Sequence, residues 1–290
     1  MKKTFPIRDY DLAATLASGQ AFRWEFVDGA WEGVVGQRWI RLRQLDQELS
    51  AETAVETSDW NWLRTYLQID ADLNSILLSF PDDEPLRIAV THCRGLRLLR
   101  QEPWETLASF ILSSTKQILQ IQQIIGLLCE RFGQSLVVPP GHPPVFSFPT
   151  PDRLAACSEN DLRGCKMGFR APNLLRTAKI IAGGELNLKS LYTLPLDEAR
   201  NELIKLPGVG RKIADCVLLF GYGFQQAFPI DVWILKALRQ LYFPRRKPAM
   251  KRLIKFSETH FGPHAGYAQQ YLFHYMRTVE KRSARKGPTI

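Results

Sequence analysis

The residues with the most chemical potential lie in two short segments. Leu206-Pro207-Gly208-Val209-Gly210-Arg211-Lys212-Ile213-Ala214-Asp215-Cys216 joins an amphipathic segment (195–205) to an apolar one (213–220). Two glycines flanking one residue after a proline allow a tight turn between helices. Such a turn leaves the first N–H groups of the second helix pointing outward, where they and the helix dipole can hold a phosphate without reading sequence. A plain αα-corner has the same pattern. Lys212 falls in the first turn of the new helix, with Cys216 four residues on and on the same face. A helical lysine is usually a solvated charge. At a helix N-terminus, however, a cation is electrostatically unfavourable, so the free amine is favoured there as a nucleophile. Nineteen residues after Lys212 stands Asp231, in Pro229-Ile230-Asp231-Val232-Trp233. It reads either as a simple N-cap or as a carboxylate held ionised at a helix start beside a reacting sugar.

Charge supports a polyanionic partner. The chain has 290 residues and a net charge of +9. Residues 205–290 carry 16 basic and 4 acidic groups, whereas residues 1–204 carry 22 basic and 25 acidic. A basic excess confined to the last third suggests nucleic acid. Hydrophobic residues at 45% and charged residues at 23% exclude a disordered or fibrous chain. No apolar run is long enough to span a membrane. Five cysteines without a CxxC pair argue against a disulfide framework and a Cys-ligated metal, and an intracellular, reducing compartment is expected.

The elements that must position these residues are of two kinds. Phe22–Phe26 alternates apolar and polar, Asp28-Gly29 is a hairpin turn, and Trp31–Val35 and Trp39–Leu42 continue an antiparallel sheet with one face buried. From Asp59 the period becomes helical, with Trp60, Leu63, Tyr66 and Leu67 on one face. Further helices are expected over 86–100, over an unbroken 103–132, and at 151–164, 172–183, 195–205, 212–222, 231–242, 249–260 and 263–282. The six prolines of 138–151 make an extended connection. The expected fold is α+β: a small N-terminal antiparallel β-sheet unit (domain 1–85) on a mostly α-helical, two-subdomain body (domain 86–290). A helix–hairpin–helix lies at about 195–222.

LPGVGxKxADC followed by PxDV resembles the signature of the helix–hairpin–helix DNA glycosylases, and the lysine resembles their 8-oxoguanine DNA glycosylase branch. Four other segments are similar to that family in order. They are Ser18-Gly19-Gln20-Ala21-Phe22-Arg23-Trp24; Leu98–Pro103 with Ser109–Ser114; Gly168-Phe169-Arg170-Ala171; and Gly262–Gln269. The resemblance implies a bifunctional glycosylase and abasic-site lyase that excises 8-oxoguanine in base excision repair. By it, Lys212 attacks the sugar C1′ to leave a Schiff base, and Asp231 stabilises the cationic transition state. The Gly19 carbonyl would accept the N7–H that 8-oxoguanine has and guanine lacks. Gln269 would bind the Watson–Crick edge, with Phe273 and Cys216 on the two faces of the flipped base. Gly208, Val209 and Gly210 would hold DNA phosphate. Phe169, Arg170 and Thr115 would contact DNA around the lesion and its opposite base. The resemblance also implies a hairpin cation, monovalent or calcium, on the carbonyls of Ile204, Leu206 and Val209. No other cofactor is expected. The expected partner is double-stranded DNA containing 8-oxoguanine, bound by a monomer.

The chain departs from the eukaryotic members at several positions. Trp233 stands where they carry His, Thr115-Lys116-Gln117 where they carry three Asn, Gln120 where they carry Arg, and Phe169 where they carry Tyr. Two other readings remain at this point. One is a monofunctional alkylpurine glycosylase that uses water. The other is a non-catalytic hairpin module, which gives no reason for Lys212 and Asp231 at this spacing.

Overall fold

The computed structural model describes residues 1–114 and 116–285. One antiparallel sheet holds β1 (Lys2–Pro6), β2 (Trp24–Val27), β3 (Ala30–Val35), β4 (Arg38–Leu45) and β5 (Glu48–Thr53), in the order β1-β5-β4-β3-β2. Helix α1 (Leu12–Ala17) interrupts the path from β1 to β2. The central strands follow the alternation in the sequence. β1 and β5 were not legible there: β1 buries only Phe5, and β5 buries Leu49, Ala51 and Thr53, of which two are small or polar. The expected first strand also begins late, at Trp24. Phe22 belongs to the helical core and Trp24 to the sheet core.

Next come α2 (Asn61–Leu67), which buries Leu63, Tyr66 and Leu67, and the short α3 (Leu73–Leu78). The helix expected at 86–100 is α4 (Glu84–Cys93) and ends early. Beyond it Leu96 and Leu98 pack into the helical core while Leu99 packs into the sheet core, an arrangement that only extended chain satisfies.

The stretch 103–132 is likewise two helices, α5 (Pro103–Leu112) and α6 (Ile118–Phe132). The break follows from Ser113, whose hydroxyl donates back to the Phe110 carbonyl at 2.7 Å and offers the backbone an alternative to helix. Gln117 and Gln120 then form the capping box that starts α6. The segment 151–164 splits in the same way into α7 (Pro151–Ala155) and α8 (Glu159–Arg163). There Ser158 and Asp161 cap a fresh helix.

The remaining helical segments appear as expected: α9 (Ala171–Ala182), α10 (Leu196–Ile204), α11 (Arg211–Val217), α12 (Val232–Ala237), α13 (Met250–His260) and α14 (Ala265–Arg285). Wider turns extend α11 to Tyr222 and α12 to Tyr242.

Each layer has its own core. Phe5, Trp24, Ile40, Leu42, Leu63 and Leu67 fill the space between the sheet and α2. Leu107, Ile111, Leu128, Leu174, Val217 and Tyr271 are among the residues of the helical core. Full burial stabilises each Leu or Ile by roughly 1.5–3 kcal/mol. The layers are joined by the half-buried Arg23–Glu105 ion pair (3.5 Å) and by the Gln101 amide, which donates to the Phe220 carbonyl at 2.8 Å. All five cysteines are buried, and burial pushes every one of their thiols up. Among the described residues, no helix is long and apolar enough to cross a membrane.

Candidate active site

The hairpin is clamped from behind. Arg200 on α10 donates from Nε to the Asp215 carboxylate of α11 at 2.6 Å and also reaches Asp197. The Arg200 and Asp215 side chains are only 7% and 2% exposed, and Arg211 also approaches Asp215 at 3.6 Å, so the buried carboxylate is held by two guanidiniums. In the turn, Gly208 takes φ 78°. A Cβ there would come within 2.6 Å of Asn173 Nδ2 on α9, so both conformation and space call for glycine. Val209 is buried, whereas Gly208 and Gly210 are exposed and present the turn to solvent.

Lys212 leaves the first turn of α11 and points back over the body. Its Nζ donates to Ser113 Oγ at 3.4 Å and lies 5.4 Å from the centre of the Phe110 ring. Phe110 is itself stacked on Phe220. The residues missed in the sequence, Ser113 and Phe110, therefore hold the amine. Ser113 lies in a quoted segment, but its contact with Lys212 spans 99 residues and has no local signal.

Asp231 caps α12, accepting from the Ile234 amide at 2.8 Å. Burial pushes its carboxyl above the ordinary carboxylate range. The Ile234 and Trp233 amides and the charges of Lys212 and Arg277 pull it down by less. The helix start thus favours ionisation, as the cap position suggests, but desolvation is the larger effect. Cys216, one turn beyond Lys212, is pushed up to about 12 by burial, although Lys212 opposes this. So buried and protonated, it is not a second nucleophile.

The opposite wall comes from the two ends of the chain. Gly19 has φ 82°, and a Cβ there would meet Ile118 Cδ1 at 2.7 Å, Arg277 Nη1 at 2.8 Å and Phe273 Cε1 at 3.4 Å. The loop is locked by the fully buried Gln20, whose Nε2 donates to the Thr15 and Arg97 carbonyls and whose Oε1 accepts from the Leu99 amide. Gln270 Nε2 donates to the Ser18 carbonyl at 3.1 Å and ties the loop to α14. On the same helix Gln269 is 4% exposed, and its Oε1 has no hydrogen-bond partner among the described residues. Arg277, one turn beyond Phe273, was not singled out in the sequence.

Around the site's mouth, Phe169 is 63% exposed. Its neighbour Arg170 is buried, stacked at 4.2 Å from the Phe169 ring centre and donating to the Ser114 carbonyl. The pair thereby joins the turn before α9 to the break between α5 and α6. Thr115 lies outside the described residues.

The chain's relatives carry the same plan. Residues 4–107 match the model of the 8-oxoguanine DNA glycosylase N-terminal domain, and residues 108–261 that of the HhH-GPD superfamily base excision DNA repair proteins. The chain belongs to this superfamily. A probable N-glycosylase/DNA lyase of Methanothermobacter thermautotrophicus is 30% identical, covering 94% of this chain and 95% of its own. The structure of MBOgg1 in complex with a low-affinity DNA ligand superposes with a TM-score of 0.91 at 33% identity, over 96% of both chains. The Clostridium acetobutylicum 8-oxoguanine glycosylase/lyase, bound to duplex DNA with cytosine opposite 8-oxoguanine, gives a TM-score of 0.89 at 31% identity. That match covers 96% of this chain and 98% of the other. This superfamily member thus shares with its relatives the whole sheet-plus-helices plan and not the hairpin alone.

Proposed function

We propose that the chain is a bifunctional DNA glycosylase and abasic-site lyase that removes 8-oxoguanine from duplex DNA in base excision repair, acting as a monomer inside the cell. The observation that carries the reading is the convergence of Lys212 and Asp231. Each leaves the start of its own helix, and their charges act on each other within a half-buried site.

The chemistry follows from that pair. Lys212 Nζ forms a bond to C1′ as the C1′–N9 bond breaks, with the bonding electrons leaving on the base. The amine sheds a proton, which the departing base takes up. The nitrogen lone pair then breaks the C1′–O4′ bond, O4′ takes up a proton to become a hydroxyl, and the resulting iminium, the Schiff base, acidifies the C2′ protons. Loss of one of them then expels the 3′ phosphate by β-elimination. Asp231 serves the cationic sugar of the transition state, where a negative charge close by contributes most.

The base's own chemistry suits the opposite wall. Among the described residues Gln269 Oε1 is a buried acceptor without a donor, and the Watson–Crick edge of 8-oxoguanine offers N–H groups. Gly19 offers its carbonyl toward an N7–H, whereas guanine N7 would meet it lone pair to lone pair. Phe273 and Cys216 supply apolar faces for stacking. Gly208, Val209 and Gly210 would bind phosphate through their backbone, and Phe169 is exposed at the mouth, ready to enter the gap left by the base.

The reaction so written consumes no cofactor. A structural monovalent or calcium ion would be held by the Ile204, Leu206 and Val209 carbonyls, neutral oxygen donors of the kind these cations take. The Leu206 carbonyl also accepts from the Val209 amide at 3.1 Å and keeps a second lone pair.

Borohydride trapping on a duplex with one 8-oxoguanine tests the reading. A covalent protein–DNA adduct that depends on Lys212 is expected. Base release without an adduct would instead indicate a water-using enzyme, and no release at all a binding module.

A further inference from the structure

Arg277 is a charged side chain beside Gly19 and Phe273 that the catalytic scheme leaves unexplained. It projects from α14 one turn after Phe273, with its guanidinium carbon 5.3 Å from that ring's centre. Its Nη1 lies 2.8 Å from the point that a Gly19 Cβ would occupy, so it borders the same space as the Gly19 backbone. Nη1 is buried and, among the described residues, donates to nothing. Burial lowers the pKa of the guanidinium while Asp231 raises it, which places the two in one electrostatic neighbourhood. A buried N–H without an acceptor costs roughly 1–3 kcal/mol, so a ligand that supplies an acceptor recovers that cost.

8-Oxoguanine supplies two. Its N7–H lies between the C6 and C8 carbonyl oxygens, so a pocket that receives N7–H on the Gly19 carbonyl brings one of those oxygens beside it. We propose that Arg277 is a further base-contacting catalytic residue, its Nη1 donating to a carbonyl oxygen flanking N7. This rests on the 8-oxoguanine reading above.

The contact acts beyond recognition. When the C1′–N9 bond breaks, its electrons spread over the purine and onto these oxygens, so the donor meets more negative charge in the transition state than in the ground state. A preorganised charged donor aimed at developing charge raises the rate of that step specifically. Arg277 and Asp231 then divide the charge separation, the cation on the base and the carboxylate on the sugar.

The test compares ligands with and without a base. R277M should slow single-turnover excision of 8-oxoguanine by about 10²-fold. Borohydride trapping on a duplex carrying a preformed abasic site should fall by less than about threefold, because no base is there to touch. R277K should recover part of the loss. In a K212Q background, affinities for duplexes with 8-oxoguanine, 8-oxoadenine and a tetrahydrofuran abasic analogue separate the oxygens. If R277M weakens both base-containing ligands, the contact is at C8; if it weakens only 8-oxoguanine, the contact is at C6. Equal losses on abasic and base-containing DNA, or an R277M enzyme as fast as wild type, would overturn the assignment. A wild-type protein that leaves 8-oxoguanine in place overturns the parent reading and this one with it.

Discussion

The site has two walls built on opposite terms. The chemical wall comes from neighbouring segments. Lys212 and Asp231 are nineteen residues apart, each at the start of a helix, and the Arg200–Asp215 pair fixes the hairpin behind them. The wall proposed for recognition joins residue 19 to residues 269–277 and depends on the missing Cβ at Gly19, which would meet Ile118, Arg277 and Phe273. Reactivity here asks for two functional groups at a fixed separation, which local structure can supply. Selectivity between two nearly identical bases asks for a shaped space, which only distant parts of the chain can enclose.

This contrast predicts that damage to the two walls separates cleanly. The largest effect belongs to Lys212→Gln, which should abolish both base release and borohydride trapping. Affinity for lesion DNA should stay within a few-fold, as the hairpin backbone is untouched. A variant that still excises near the wild-type rate would remove Lys212 from the chemistry.

Asp231→Asn should lower the excision rate by about 10²–10³-fold, with little change in binding. It should also alter the pH profile. The buried carboxyl titrates above its ordinary value of 3.8, and activity that needs the carboxylate is lost as pH falls through that raised pKa. The wild type should therefore show an acid limb displaced upward, and the Asn variant should lack it. Identical profiles for the two proteins would leave Asp231 as a helix cap only.

On the other wall, Gly19→Ala should weaken discrimination for 8-oxoguanine over guanine by roughly 10–100-fold, the worth of one buried hydrogen-bond mismatch. Its Cβ must displace both Ile118 and Arg277. Binding of an abasic analogue should barely change, and parallel losses on both ligands would assign Gly19 to folding.

The smallest effect concerns the base opposite the lesion. Arg170 is buried, and Gln120 cannot replace the guanidinium that eukaryotic members carry there. Preference for cytosine should therefore be modest, within about one to two orders of magnitude by the 1–3 kcal/mol worth of a base-edge contact. Single-turnover excision opposite each of the four bases measures it. A preference above about a thousandfold would mean that another residue reads the opposite base.

The same contrast explains what was legible in the sequence. The central strands, the hairpin and the two helix starts announce themselves through alternation, turn glycines and cap residues, all set by neighbours within a few positions. The break after Cys93 does not, because it depends on which core claims the following residues, and the break at Ser113 turns on a hydroxyl that bonds back to the Phe110 carbonyl, which a serine inside a helical pattern need not do. The strands β1 and β5 exist because β1 pairs with β5 and β5 with β4, a property of the partner as much as of the strand. In the site, Lys212 and Asp231 stand out by spacing. Ser113 and Phe110 beneath the amine, and Arg277 beside Gly19, become visible only once the chain has closed over 99, 102 and 258 residues respectively.

The burial of all five cysteines has a consequence for working conditions. Peroxides oxidise thiolates far faster than thiols, and oxidation also needs access. Here Cys93 and Cys216 are pushed up to about 12 and Cys129 to about 11, with none at the surface. Near neutral pH these sulfurs stay protonated and shielded, including Cys216 one turn beyond Lys212. A protein whose substrate arises under oxidant stress thus carries no easily oxidised sulfur among its cysteines, and the stress that creates its work leaves that part of its machinery intact.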